Sequence, residues 1–335
     1  MKKETTFVGV ESSMTQILDL AYAFWKSKVL HTACEFDIFT IIGKEAKTSE
    51  EVAKIIETDE KATDRLMNAL VAIELLSKSG NLFSNTKISL DYLAKGGKSY
   101  MGDLKHLLYI WNSWNSLTDS VWQGTSADYE RISVRDIDRL EAYQQFIDWR
   151  ARLQAEDLIS RIDISKTIRF LDLGCGSGTY SWEFLQKKPD LKITLLDLPD
   201  IIPITKKYLI QYGILDKVEL IAADYQTDSI GKNYDMIFLS TILSQHSIWE
   251  NINIMSKVYD ALNPGGSVII HEYLLNDDRT SPIFSALYSL NMLVNSKSGD
   301  TYTETDIWII LKEAWFKNII KVDTNFGNCI FIAKK

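Results

Sequence analysis

Residues 171–178 read Leu-Asp-Leu-Gly-Cys-Gly-Ser-Gly. Alternate glycines after an apolar run let the backbone turn tightly, and a ligand can approach it without meeting side chains. The spacing is G-x-G-x-G, not the G-x-G-x-x-G of dinucleotide sites. Nineteen residues beyond Gly178, Asp197 closes a second apolar stretch, Lys192–Leu198. A carboxylate there can accept hydrogen bonds from both hydroxyls of a ribose. A third stretch, Lys217–Ala222, is followed by Asp224. Glycine loop and two run-end acids together describe a nucleoside-type site. A glycine turn beside solvated acids is the competing reading, and it is weaker because three features coincide.

These groups need a sheet edge to stand on. Thr167–Leu173, Lys192–Leu198, Lys217–Ala222, Tyr234–Leu239 and Ser267–His271 are short, β-rich apolar runs. Helical patterns at 179–187, 200–213 and 249–262 lie between them. Such alternation predicts a parallel sheet covered on both faces. Two tail runs, 318–322 and 328–333, are close enough to form a hairpin, which adds an antiparallel edge. Asn263-Pro264-Gly265-Gly266 reads as a turn before the fifth run.

The first hundred residues carry a different pattern. Residues 14–42 place Met14, Ile17, Leu18, Ala21, Phe24 and Trp25, then Val29, Leu30, Ala33, Phe36 and Ile38, at helical spacing. Thr48-Ser49-Glu50-Glu51 is a capping-box start. A further helix is expected from Lys61 to Leu76, a turn at Ser79-Gly80-Asn81, and then strands at Leu82–Ser84 and Lys87–Ser89 around Asn85-Thr86. Helices followed by a hairpin predict a winged helix-turn-helix. DNA binding is disfavoured. The expected recognition helix mixes Asp59, Glu60, Lys61, Asp64, Arg65, Glu74 and Lys78, which neutralises phosphates poorly. The chain as a whole carries a formal charge of −8, whereas a nucleic-acid binder shows a basic balance. Dimerisation or a substrate lid is the better reading of this unit.

Tyr109, Trp111, Trp114 and Trp122 crowd a short segment between the two halves. They read either as aromatic core or as the wall of an apolar pocket for a flat substrate. At 335 residues, 46% hydrophobic and 24% charged, the chain has ample material for about two globular domains. No apolar run reaches the roughly 18 residues of a membrane span, and the first residues, MKKETTFVGVESSM, lack a secretory h-region. Three cysteines, Cys34, Cys175 and Cys329, form no CxxC pair and no disulfide framework. A cytoplasmic location and no metal site are expected. The boundaries fall at 1–100, 101–165 and 166–335.

The strings LDLGCGSG, LLDLP, AADY and NPGG, behind the winged-helix segment, resemble the S-adenosylmethionine-dependent small-molecule O-methyltransferases of the dimeric, plant-caffeate and bacterial-antibiotic type. EFDIFTII, RLMNALVAIELL and LNMLVNSKSGDTYTETDI extend the resemblance over nearly the whole chain. It implies a class I, Rossmann-like, mostly parallel seven-stranded sheet with a reversed terminal hairpin, and an intertwined homodimer through the N-terminal domain. S-adenosylmethionine would be the cofactor and S-adenosylhomocysteine the product. Asp172, Gly174, Gly176 and Gly178 would surround the methionine moiety. Asp197 would hold the ribose, with Leu198 against the adenine. Asp224 would contact the adenine amino group and Tyr225 would pack on its ring. Ser240 stands in the slot of a plant-type lysine and is counted with the cofactor site. Trp111, Trp114, Phe146, Asn291 and Met292 would line the acceptor pocket.

The sequence departs from the family at the catalytic position. Aligned on Leu243, Ser244 occupies the slot of the usual base histidine, and the plant-type supporting glutamate falls on Thr301. Four histidines exist: His31, His106, His246 and His271, the last beside Glu272. A histidine near its unperturbed pKa of about 6.5 is the usual proton acceptor. His246, two positions past the slot, is the first choice, against a helix-cap role. The function expected is methyl transfer to a small aromatic or conjugated hydroxylated metabolite, without nucleic acid or membrane as partner. The departure keeps alternatives open: a non-methylating or C-, N- or S-methylating member of the same fold, or a winged-helix regulator that senses the cofactor.

Overall fold

In the computed structural model, residues 12–102, 104–129 and 136–335 are described. The first residues read against a secretory leader, 1–11, lie outside them. The chain divides into two compact units, the first ending at Leu108 and the second running from Tyr109 to Lys335.

In the first unit, α1 (Ser12–Glu35) is followed by α2 (Ile38–Ile42). The helical spacing over 14–42 is thus divided between two helices. Asp37 takes φ 55°, a left-handed conformation that ends one helix and starts the next. Thr48 caps α3 (Ser49–Ile56) through the capping box anticipated from the sequence. Then comes α4 (Glu60–Ala72). It stops short of Leu76 because Glu74, at φ 63°, turns the chain. The strands β1 (Ala46–Thr48), β2 (Leu76–Ser79) and β3 (Leu82–Asn85) form an antiparallel sheet in the order β1-β3-β2.

This corrects the expected hairpin. Gly80, at φ 62°, makes the tight turn between β2 and β3. Residues 87–89 are helical, in α5 (Lys87–Tyr92), because the Thr86 hydroxyl accepts the Ser89 N–H as an N-cap. Asn85 is a strap instead of a turn residue: its side-chain amide donates to the Phe39 and Gly43 carbonyls, each at 2.8 Å. Ile38, Phe39, Ile42, Val52, Met67, Leu70, Leu76 and Phe83 fill the core of this unit.

The second unit begins within α6 (Lys105–Trp114) and continues through α7 (Leu117–Gln123) and α8 (Ile137–Ser160) into a seven-stranded sheet. Its strands are β4 (Arg169–Leu173), β5 (Lys192–Asp197), β6 (Val218–Ala222), β7 (Tyr234–Ser240), β8 (Leu262–Glu272), β9 (Lys317–Asp323) and β10 (Cys329–Lys334). They lie in the order β6-β5-β4-β7-β8-β10-β9. The first five strands pair in parallel, and β10 pairs antiparallel with both β8 and β9. The expected turn at Asn263–Gly266 is drawn into the start of β8, where Leu262 pairs with Tyr234 before the register shifts.

Alternation along the central strands sends two sets of side chains to opposite faces. Leu171, Leu173, Ile237, Leu239, Val268 and Ile270 join one core cluster; Phe170, Ile193, Leu195, Phe238 and Ile269 join the other. The connecting helices α9 (Thr179–Lys187), α10 (Ile202–Gln211), α11 (Ile248–Ala261) and α13 (Glu304–Glu313) cover them, while α12 (Ile283–Asn295) packs on α7. No helix of the described residues is long and apolar enough to cross a membrane.

Phe170 is fully buried, with its ring centroid 4.5 Å from that of Phe184 and 6.4 Å from that of Phe238. Phe170→Ala should cost about 3–5 kcal/mol in chemical unfolding, the usual range for a buried phenylalanine. A loss below about 1 kcal/mol would show that the aromatic layer under the glycine loop is not a packed core.

Candidate active site

The C-terminal ends of β4, β5 and β7 hold the glycine loop in place. Gly174 and Cys175 donate their N–H groups to the Leu196 carbonyl, at 2.8 and 3.1 Å. Gly176 N–H donates to the Asp197 carboxylate at 2.8 Å, and the Thr205 hydroxyl donates to the Gly176 carbonyl at 2.6 Å. Asp197 accepts a second N–H, from Leu198, at 2.7 Å. Gly176 and Gly178 sit at φ 54° and 75°. A Cβ at Gly178 would stand 2.9 Å from Leu209 and 3.0 Å from Leu195, so this glycine lets α9 approach the sheet. A Cβ at Gly176 would stand 3.0 Å from Gln144 Oε1, a buried acceptor with no partner.

Asp172, Gly174, Gly176, Ser240, Arg150 and Tyr180 share one cleft above these strand ends. Asp172 accepts from the Ser181 hydroxyl at 2.6 Å. Burial pushes its pKa up to about 7; the Ser181 bond opposes this and the Asp197 charge adds to it. Burial also raises Asp197, to about 6, against the Gly176 and Leu198 N–H bonds. Asp172 lines the cleft with Arg150, and Asp197 stands behind the glycine loop, close enough for its charge to raise Asp172.

Tyr225 and Asp224 follow β6. Asp224 is half-buried and accepts the Gln226 N–H at 2.9 Å; Tyr225 is buried beside the glycine loop. Leu198 is half-buried and packs with Ile201, Ile204 and Leu140. The Tyr225 hydroxyl lies 2.8 Å from His246 Nε2, and the Gln226 amide nitrogen lies 3.0 Å from His246 Nδ1. With that amide donating to Nδ1, the Nε2–H donates to Tyr225. Burial lowers the His246 pKa, against Glu250 and Asp224, which favours this neutral form. To accept a substrate proton, the ring would have to break one of these two bonds.

The neighbourhood of Ser244 differs. Ser244 is buried in a single 3-10 turn, Leu243–Gln245, and its N–H donates to Glu272 Oε1 at 3.2 Å. Its carbonyl accepts the Asp300 N–H at 3.0 Å. Thr301, next in the chain, is fully buried with an unpartnered hydroxyl. Ser240 shares a 2.8 Å hydrogen bond with His271 Nδ1. Burial first, then the Arg150 charge, lowers His271 to about 3, so this ring is neutral.

Among the acceptor-pocket candidates, the Trp114 indole donates to Asn291 Oδ1 at 3.0 Å, joining α6 to α12. Met292, the next residue, is buried. Phe146 is half-buried on α8, its centroid 6.0 Å from that of Trp149, and Trp111 is half-buried on α6.

Arg150 escaped the sequence reading. Its signal is faint: one cation on a helix face shared with Phe146 and Gln154, four residues away on either side. Its guanidinium lies 4.5 Å from the Tyr273 ring centroid and 5.8 Å from that of Phe284, and its Nε donates to the Tyr273 hydroxyl at 3.2 Å. Its Nη2 is buried without a partner. A buried donor of that kind calls for an anion.

A family model for the O-methyltransferase domain matches residues 114–317, and one for the O-methyltransferase dimerisation domain matches residues 18–95. The chain belongs to the O-methyltransferase family. Its reaction is S-adenosylmethionine-dependent methyl transfer. This methyltransferase is 28% identical over 306 residues to the 3-hydroxy-5-methyl-1-naphthoate 3-O-methyltransferase of Streptomyces sahachiroi, which covers 90% of this chain and 88% of that protein. It is 29% identical over 324 residues to the acetylserotonin O-methyltransferase of Gallus gallus, covering 90% and 92% of the two chains. The crystal structure of human N-acetylserotonin methyltransferase in complex with SAM has the same fold, with a TM-score of 0.88 at 23% identity over 98% of this chain and 99% of that one.

The cleft carboxylates predict a pH dependence. Asp172 and Asp197 hold their protons more tightly when folded than when unfolded, where a carboxyl pKa is about 4. The stability they lend the ligand-free enzyme is fully present below about pH 4 and is lost as pH rises through 6 and 7. Asp172→Asn should therefore gain melting temperature relative to wild type between pH 5 and pH 8. A difference that stays constant over that range would contradict the buried, proton-holding state of Asp172.

Proposed function

We propose that this methyltransferase transfers the methyl group of S-adenosylmethionine to the hydroxyl of a small aromatic metabolite, and that the expected cofactor residues carry out the binding. The observation that supports this best is Asp197, buried at the end of β5 and already bonded to the glycine loop. Each carboxylate oxygen uses one acceptor site on a backbone N–H and keeps another for a ribose hydroxyl.

The other cleft groups fit the remaining parts of the cofactor. The unpartnered Arg150 Nη2 suits its carboxylate, and Asp172 and Gln144 Oε1 suit its ammonium. Tyr225 and Leu198 suit its adenine faces, and Asp224 the amino group. Ser240 lines the floor of the same cleft. Gly174, Gly176 and Gly178 keep side chains out of the approach. His246 supports Tyr225 through the hydrogen bond at 2.8 Å, a positioning role on the adenine side. The bound cofactor supplies an electrophilic methyl group on a sulfonium centre. The chain's own contribution is to hold the acceptor oxygen in line and to remove its proton.

Aromatic acceptors are favoured by the rings beside the strand ends. Tyr273, Phe284 and Tyr288 form a continuous group, with Tyr273 and Phe284 centroids 5.0 Å apart and Phe284 and Tyr288 stacked at 5.7 Å. The joined Trp114–Asn291 pair with Met292, and Phe146 and Trp111, supply further apolar wall. Incubation with S-adenosylmethionine and a hydroxynaphthoate, N-acetylserotonin or a hydroxylated polyketide, read by mass spectrometry, tests this. A methyl ester, N-methyl or C-methyl product would replace the hydroxyl assignment.

The first unit we assign to homodimerisation. On α1, Met14, Ile17, Leu20, Phe24 and Trp25 are each at least half exposed. Such a patch, in a segment matched by the dimerisation model, suits a second copy of this chain. Sedimentation at micromolar concentration should give a dimer. The three cysteines are free and buried, as suits a reducing cytoplasm.

Asp197→Ala should weaken S-adenosylmethionine binding by about 1–3 kcal/mol, because two charge-assisted hydrogen bonds are removed. Binding to wild type near pH 6.5 should also release protons, since a cationic ligand favours ionised Asp172 and Asp197. Calorimetry in buffers of different ionisation enthalpy reads both effects. Unchanged affinity in the variant would reject the ribose assignment.

A further inference from the structure

We propose that Glu272, through its unpartnered Oε2, is the proton acceptor of this enzyme, serving in place of the histidine whose slot Ser244 fills. The inference rests on the hydroxyl-methylating reading above.

Glu272 is the last residue of β8, one strand from Ser240 at the end of β7. It is 2% exposed. Its Oε1 is fixed by the Ser244 N–H at 3.2 Å, and its Oε2 has no partner. A buried carboxylate oxygen left unpaired is costly unless a ligand or a proton completes it. Ser244 thus keeps a role in the slot: its backbone aims the carboxylate, while a serine hydroxyl is itself a poor base near neutral pH. The other nearby candidates fall short. His246 spends both ring nitrogens on Tyr225 and Gln226. His271 has Nδ1 bonded to Ser240 and a buried, unpartnered Nε2, but burial and the Arg150 charge lower its pKa to about 3, too weak a base for the task.

The charges around Glu272 suit the role. Arg150 faces it from α8, Tyr288 from α12, Cys329 from β10 and Tyr302 from the segment before α13, with His271 adjacent on its own strand. Burial raises the Glu272 pKa to about 7, and the Ser244 and Leu243 N–H groups, the Ser244 hydroxyl and Arg150 oppose this. Burial likewise raises the Tyr288, Tyr302 and Cys329 pKa values, so these three stay neutral near pH 7. Arg150 is the one cation of the group. An acid with a pKa near the working pH is matched to proton transfer. The step balances as follows. The acceptor O–H bond breaks, and its proton goes to Glu272 Oε2, giving a carboxylic acid. The acceptor oxygen keeps the electron pair and forms the new bond to the methyl carbon. The electron pair of the broken sulfur–carbon bond stays on sulfur.

Two measurements test this on the full-length enzyme. The first needs no substrate: infrared difference titration of wild type should show protonated carboxyl bands lost near pH 7, and the wild-type-minus-Glu272→Gln difference should isolate one such band with a midpoint near pH 7, the Asp172 band being common to both. The second follows single-turnover methylation of two phenols of different acidity, chosen from the panel above. The wild-type rate should rise with pH to a plateau, with the same midpoint for both phenols. Glu272→Gln should lower the rate about 10²–10⁴-fold and abolish that limb, with S-adenosylmethionine affinity within threefold of wild type. Glu272→Asp, which keeps the carboxyl, should recover part of the rate and retain a pH limb. A midpoint that follows the phenol, a Glu272→Gln rate within threefold of wild type, or no titrating band at Glu272 would each overturn the proposal. Failure of every phenol to be methylated would count against the hydroxyl reading, while the infrared result would still decide the state of Glu272.

Discussion

A buried carboxylate with two backbone donors underlies the rest of the second unit. Asp197 can bind the N–H groups of Gly176 and Leu198 only if β4 and β5 run parallel and end at the same level. That register follows from two strands of continuous apolar character, buried on both faces. The glycine loop must in turn fold back on the end of β5, which the positive φ angles of Gly174, Gly176 and Gly178 allow. Once this is set, the C-terminal ends of β5, β4, β7 and β8 lie side by side at one end of the sheet.

At that end the enzyme concentrates buried polar groups. Asp172, Asp197 and Glu272 all have raised pKa values, and the half-buried Arg150 holds a buried Nη2 donor with no partner. In a ligand-free protein these are unfavourable placements. They become favourable when a ligand with a sulfonium, an ammonium, a carboxylate and two hydroxyls completes them.

Much of this was legible in the sequence, for physical reasons that can be named. The parallel strands are runs of β-branched and leucine residues cut by turns, so their positions could be read to within two residues, save the start of β8, which takes in the expected Asn263–Gly266 turn. The terminal hairpin and the Thr48 capping box were equally local. The winged segment was misread where two local signals competed. Asn85-Thr86 looks like a turn, but Thr86 caps α5 and Asn85 straps α2, while Gly80 makes the turn one strand earlier. The break at Asp37 is not marked by the apolar spacing, which continues through it; only the resemblance of EFDIFTII to a second-helix segment pointed to it. In the site, glycines and strand-end acids announce themselves by position. Arg150, Gln144 and the free oxygen of Glu272 do not, since their meaning depends on which face of α8 or which end of β8 meets the cleft.

The central claim is that the cleft at the ends of β4 and β5 receives the cofactor through Asp197. A crystal structure of this enzyme with S-adenosylhomocysteine tests it most directly. Both ribose hydroxyls should lie within hydrogen-bond distance of the Asp197 carboxylate, with the amino-acid end over Gly174–Gly176 and its carboxylate on Arg150. A nucleoside bound elsewhere, or one in this cleft whose ribose makes no contact with Asp197, would contradict it.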